Sequence, residues 1–129
     1  MDTFQENMRW EKETTKLMVT VDVDYDNEFK VELFILIAKN YEFLNEYIIA
    51  QKYYQEALSR AKEINDSRIS EIEYFIAQTN KNLYKTNLAK EQLRAISLNN
   101  SNPAKYRAMA SIELGELEEA NSNLNEAIK

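Results

Sequence analysis

The stretch Ala38-Lys39-Asn40-Tyr41-Glu42-Phe43-Leu44-Asn45-Glu46-Tyr47-Ile48-Ile49-Ala50 places two alanines twelve residues apart across a polar turn. Ala50 is followed by Tyr54 and then Ala57. The same spacing returns at Ala77 and Ala89, followed by Leu93 and Ile96. It returns again at Ala108 and Ala120, followed by Leu124 and Ala127. A small residue on each of two helices lets their backbones approach, and the bulky residue fills the gap to the next pair. The pattern predicts an all-α chain, a stack of three helical hairpins forming an α-solenoid with a short N-terminal helix. Such arrays serve mainly as binding surfaces.

Working outward, Phe4, Met8, Trp10 and Leu17 suggest a weak helix over residues 2–18. Residues 19–25 (Val-Thr-Val-Asp-Val-Asp-Tyr) alternate and predict an extended connector. Asp26 suits the N-cap of a helix to about Glu42, with Phe34, Ile37, Ala38 and Tyr41 on one face. A second helix covers about 45–64 through Ala50, Tyr54, Ala57 and Ala61. Asn65-Asp66-Ser67 is a turn. The third helix runs to about Leu83 with Ile69, Ile72, Ile76 and Ala77 inward, and the fourth from Thr86 or Asn87 to about 98. Asn102 reads as an N-cap with Pro103 at the first helical position. Gly115 then supplies a left-handed turn, and a sixth repeat helix begins at Glu116. The organisation expected is residues 1–27 as helix and acidic linker, then 28–129 as repeats at about 28–65, 66–100 and 102–129.

The chain of 129 residues has one Gly and one Pro, too few for a sheet protein full of tight turns. It has no Cys and no His, which removes disulfides, thiolate metal sites, the Cys nucleophile and the commonest general base. A net charge of -6 disfavours nucleic acid and anionic membrane surfaces as partners. No apolar run reaches the roughly 18 residues of a membrane span. The first residues show no basic and apolar leader pattern, so a soluble cytoplasmic protein is expected.

The residues resemble the tetratricopeptide repeat (TPR) family. Phe34, Ile37, Ala38, Tyr41, Ala50, Tyr54 and Ala57 carry the likeness in the first copy. Leu114-Gly115-Glu116-Leu117-Glu118-Glu119-Ala120 carries it in the third. Ile76, Ala77, Ala89 and Ile96 carry it in the second, where Asn80 stands in place of an aromatic. The copies are spaced by 39 and 31 residues. In size, acidity and layout the chain is also similar to type III secretion class II chaperones. Its Tyr- and Asn-rich repeats are similar to those of Gram-positive peptide-pheromone receptors.

The resemblance implies that the stack of hairpins is right-handed, with a concave groove lined by the first helix of each hairpin. It nominates Ile35, Lys39 and Glu42, with Glu32 beside them. It then nominates Tyr74, Gln78, Lys81 and Asn82, with Glu71, and finally Lys105, Met109 and Ile112. Such a surface suits an extended or helical peptide. The alternative for Ile35, Tyr74 and Ile112 is ordinary core packing. Asn80, Asn82, Asn87, Asn121, Asn123 and Asn125 read either as peptide-backbone ligands or as a solvated face.

Asp22, Asp24 and Asp26 begin like a calcium loop, but Asn27 and Leu33 stand where its Gly and Glu belong, so no metal is expected. The carboxylates at Glu71, Glu73, Glu116, Glu118 and Glu119 read as solvated helix faces, without catalytic residues or a cofactor. Leu117, Leu124 and Ile128, with Phe4, Met8 and Trp10, are candidate oligomer contacts in a homodimer. The expected function is a non-enzymatic scaffold that captures a protein or peptide partner. The alternatives are a small secretion-type chaperone and a self-assembling structural subunit.

Overall fold

A computed structural model describes residues 3–21 and 26–128, with side chains placed at 6–17, 26–120 and 122. Within these it is entirely helical: α1 (Thr3–Val21), α2 (Asn27–Phe43), α3 (Tyr47–Glu63), α4 (Ile69–Asn82), α5 (Thr86–Leu98) and α6 (Ala104–Ile128). The chain divides into two units, residues 1–72 and 73–129. No helix among the described residues is long and apolar enough to cross a membrane.

The first unit is built around the hairpin of α2 and α3. Asp26 caps α2 as its sequence position predicts, its side chain accepting from the Phe29 N–H at 2.9 Å. Ala38 on α2 and Ala50 on α3 are both 0% exposed where the helices pack, together with Ile37, Tyr54 and Ala57. An aromatic row runs along one side. Tyr53 stacks with Tyr41 at 5.7 Å and with Phe34 at 6.1 Å, and the Arg60 guanidinium lies 5.3 Å over the Phe34 ring. These contacts add cation–π and ring–ring attraction to burial. α1 packs on α2, with Trp10 and Phe43 at 4.7 Å between ring centroids.

α1 is longer than its apolar spacing predicts. Val19, Thr20 and Val21 are helical rather than extended. Extending a formed helix fixes one residue per hydrogen bond, so a short alternating run does not stop it. The rest of the predicted connector, residues 22–25, lies outside the described residues.

The second unit centres on Tyr74, Ala77, Leu93, Ile96 and Ala110, with Phe75, Tyr106, Met109, Leu114 and Leu117 packed against them. Ala77 and Ala89 are again 0% exposed. Asn102 Nδ2 donates back to the Ile96 carbonyl at 3.0 Å, closing the end of α5. The Pro103 carbonyl accepts from the Arg107 N–H at 3.1 Å, so Pro103 precedes α6 rather than occupying its first turn.

The third hairpin is absent from the described residues. α6 runs unbroken through Gly115, which has no positive φ. Ala108 is exposed and Ala110 is buried. The apolar stripe of Tyr106, Ala110, Leu114 and Leu117 faces the α5 core and continues past Gly115. A continuous buried stripe outweighs the local turn preference of one glycine. The two hairpins before it do turn. Asn45 (φ 62°) and Tyr84 (φ 61°) hold left-handed conformations. The Glu46 N–H reaches the Tyr41 carbonyl and the Lys85 N–H the Asn80 carbonyl, both at 2.9 Å. Both are Schellman closures of a helix end.

Candidate functional site

In the second unit α4 and α6 bring several nominated residues together. Tyr74 is buried, and its hydroxyl accepts from Gln78 Nε2, one turn on, at 3.1 Å. Its ring meets that of Tyr106 at 6.5 Å. Burial, reinforced by the carboxylates of Glu113 and Glu116, pushes the Tyr74 phenol above its ordinary range against the opposing Gln78 hydrogen bond. It therefore stays a neutral phenol at physiological pH.

Lys81 forms an ion pair with Glu113 of α6. The Lys105 ammonium lies 5.5 Å over the Tyr106 ring, and Met109 is half-buried beside the core. Asn82 is exposed, and Ile112 is 63% exposed. The surface therefore joins a buried tyrosine against a half-buried one, an ion pair and an exposed aliphatic side chain. Sequence reasoning passed over Tyr106 and Glu113. Their spacing from Met109, three back and four on, puts them on its face of α6 and could have found them.

In the first unit Ile35 is buried with the core of its hairpin, so the packing alternative applies to it. Lys39 is exposed. Glu42 is half-buried and accepts from the Tyr54 hydroxyl at 3.0 Å. Burial raises its carboxyl above the ordinary range, while the Tyr54 hydrogen bond and the Lys39 charge oppose the shift.

A second polar region in this unit surrounds Arg68, in a cleft of about 320 Å³ lined by Asp26, Glu28, Glu32 and Asp66. The guanidinium is held by Asp66 at 2.9 and 2.8 Å and by the Glu28 carbonyl at 3.0 Å. Arg68 in turn holds the Asp66 carboxyl below the usual range. The arrangement ties the α3–α4 turn to the start of α2. Arg68 Nε and Nη2 are committed within the chain, which suits a structural clamp.

The other nominated residues scatter. Of the acidic run, Asp26 is the α2 cap, and Asp22 and Asp24 lie outside the described residues. Asn80 is buried and donates to Gln92 at 2.7 Å, whereas Asn82 and Asn87 are exposed. The side chains of Asn121, Asn123 and Asn125 lie outside those described. Among the candidate oligomer contacts, Trp10 is half-buried on Phe43, Met8 is exposed and Leu117 packs on the α5–α6 core. The side chains of Phe4, Leu124 and Ile128 lie outside the described set. No group of three or more Asp and Glu that could hold a metal ion is found among the described residues.

Comparison of the chain with protein-family models, with curated proteins and with solved structures finds no match.

Proposed function

We propose that the chain is a non-enzymatic cytoplasmic scaffold that captures a peptide segment or a helix of another protein. The capture surface is the α4–α6 face of the second unit. The observation that carries this reading is Ile112, an aliphatic side chain 63% exposed and next in the chain to Glu113 of the Lys81–Glu113 ion pair. An apolar anchor with a polar rim is the usual anatomy of a peptide-docking surface. Gln78, Lys81 and Lys105 would orient the ligand, and Met109 and Ile112 would supply its apolar contact. The resemblance of the two hairpins to tetratricopeptide repeats supports the same reading by analogy of architecture.

The test is selection of binders from a displayed peptide library, with affinities then measured on the wild type and on Ile112→Asp. Ile112 is exposed, so the variant should keep its helical spectrum and melting temperature. Peptides that lose tenfold or more in affinity, about 1.4 kcal/mol, support the surface. Equal binding to both proteins, or no enrichment, rejects it.

A further inference from the structure

α2 is open to solvent along one line. Its exposed residues are Glu28, Phe29, Glu32, Leu36, Lys39 and Phe43, and every other position from Asn27 onward is half-buried or buried. Phe29, Glu32, Leu36, Lys39 and Phe43 follow one another at intervals of three, four, three and four. At about 100° per residue all five lie within an arc of about 80°. A solvated helix face is ordinarily polar. This one carries three large apolar side chains, 39, 41 and 43% exposed, at the seam spacing by which helices pair.

The line is close to a palindrome about Leu36. Phe29 and Phe43 stand seven residues to either side of it, Glu32 four before it and Lys39 three after. Against an antiparallel copy, Leu36 meets Leu36 and Phe29 meets Phe43 twice. Glu32 then falls within one residue, about 1.5 Å along the axis, of the partner's Lys39, again twice. A parallel copy would instead set Glu32 on Glu32 and Lys39 on Lys39.

We propose that this line is a two-fold contact between two copies of the chain, with α2 antiparallel to α2. Self-complementary charge selects this occupant. An isologous contact uses one patch on both subunits, and here that patch sets each acid of the line against a base. A charged position within a seam costs stability and fixes register. Glu32 and Lys39 each have an opposite charge nearby in their own chain, Arg68 and Glu42, and both remain exposed to a partner's charge as well. Glu28 lies just outside the arc and also interacts with Arg68. Three partly exposed apolar side chains on each side make a small contact, of the size that transient pairs use. The net charge of -6 opposes association, and physiological salt screens that repulsion beyond about 8 Å. The dimer is therefore weak and dissociable. It uses none of the positions that the sequence nominates for a dimer. It belongs to the first unit, whereas peptide capture belongs to the second, so it goes beyond that reading.

Sedimentation of the wild type over a range of concentrations should show a dissociable dimer. Glu32→Lys and Lys39→Glu should each weaken it tenfold or more. The double reversal restores opposite charges across the axis and should return the dimer to near wild-type strength. The chain lacks cysteine, and a residue on the axis meets its own copy. Leu36→Cys alone should therefore oxidise to a covalent dimer, whereas Ile48→Cys, on α3 and 65% exposed, should not. A monomer at every concentration would overturn the proposal. So would single reversals without effect, a double reversal that fails to restore pairing, or equal crosslinking at the two cysteines. Ile112→Asp should leave the dimer intact, so pairing and peptide capture fail separately. A dimer lost in Ile112→Asp would put the contact in the second unit and also overturn the proposal.

Discussion

The Tyr54 hydroxyl of α3 donates to the Glu42 carboxylate of α2 at 3.0 Å, joining the two helices of the first hairpin near their shared turn. Tyr54 is fully buried, and burial with the Glu42 charge pushes its phenol far above the usual range. It is therefore a neutral donor to Glu42 at physiological pH. Glu42 is held in the opposite tension, since burial favours its protonated form and the hydrogen bond favours its charged form.

This relationship predicts a definite pH dependence. A carboxyl raised in the folded state binds its proton more tightly there than in the unfolded chain. Its contribution to stability is therefore greatest at low pH. It falls as pH rises from the ordinary glutamate value of about 4.3 through the raised folded value. Asp66 acts with the opposite sign. Its carboxyl is lowered by Arg68, so its contribution is present above the ordinary aspartate value of about 3.9 and fades as pH falls through the lowered value. Urea midpoints for wild type and Glu42→Gln should diverge with pH above about 4.3, the variant lacking part of the decline. Tyr54→Phe should destabilise by roughly 1–2 kcal/mol, because the half-buried carboxylate loses a donor. Parallel pH profiles for wild type and Glu42→Gln would refute the assignment.

The first two hairpins were readable because their information is local. Ala38, Ala50, Ala77 and Ala89 mark the close approaches, the intervening polar residues mark the turns, and all four alanines are fully buried. The third was misread by the same logic. Gly115 has the right local chemistry for a turn, but the stripe from Tyr106 to Leu117 already has a partner in the α5 core, a non-local fact. Val19 to Val21 were misread for a similar reason, since alternation over a few residues cannot compete with a helix already running into them.

Tyr84 offers a test of how strictly turn geometry is imposed. It adopts φ 61° although it is neither Gly nor Asn, and it is 91% exposed. A left-handed L-residue with a full side chain costs about 1–2 kcal/mol, and Asn tolerates the conformation better. Tyr84→Asn loses almost no buried surface. It should stabilise the protein by roughly 0.5–1 kcal/mol and raise Tm by about 2–4 °C. A lowered Tm in thermal unfolding would mean that the tyrosine ring makes a stabilising contact outweighing its backbone strain.

The candidate site was legible only in part. The family resemblance nominated Tyr74, Gln78 and Lys81 on α4, and there Gln78 donates to the Tyr74 hydroxyl. It could not show that Tyr74 is buried, or that Lys81 pairs with Glu113, 32 residues away on α6. Charged residues of both signs are spread along the chain, and only the packing of α6 selects this pair. Ile35 shows the converse, since a position nominated for a groove belongs to the core of its hairpin.

The rotation of α6 about its own axis can be checked by a pair of substitutions. The repeat spacing puts Ala108 inward, whereas the structure buries Ala110, about 200° round the helix, and exposes Ala108. Ala110→Leu adds three carbons to a filled core beside Leu93 and Ile96, and such overpacking costs roughly 1–3 kcal/mol. Ala108→Leu adds the same atoms on the surface of a single chain and should change stability by no more than about 0.5 kcal/mol. Denaturation at high dilution, below any self-association, measures both. The reverse ranking would mean that α6 is turned to the repeat register. The buried stripe that carries it past Gly115 would then no longer exist, and the chain would be expected to bend there as it does at Asn45 and Tyr84.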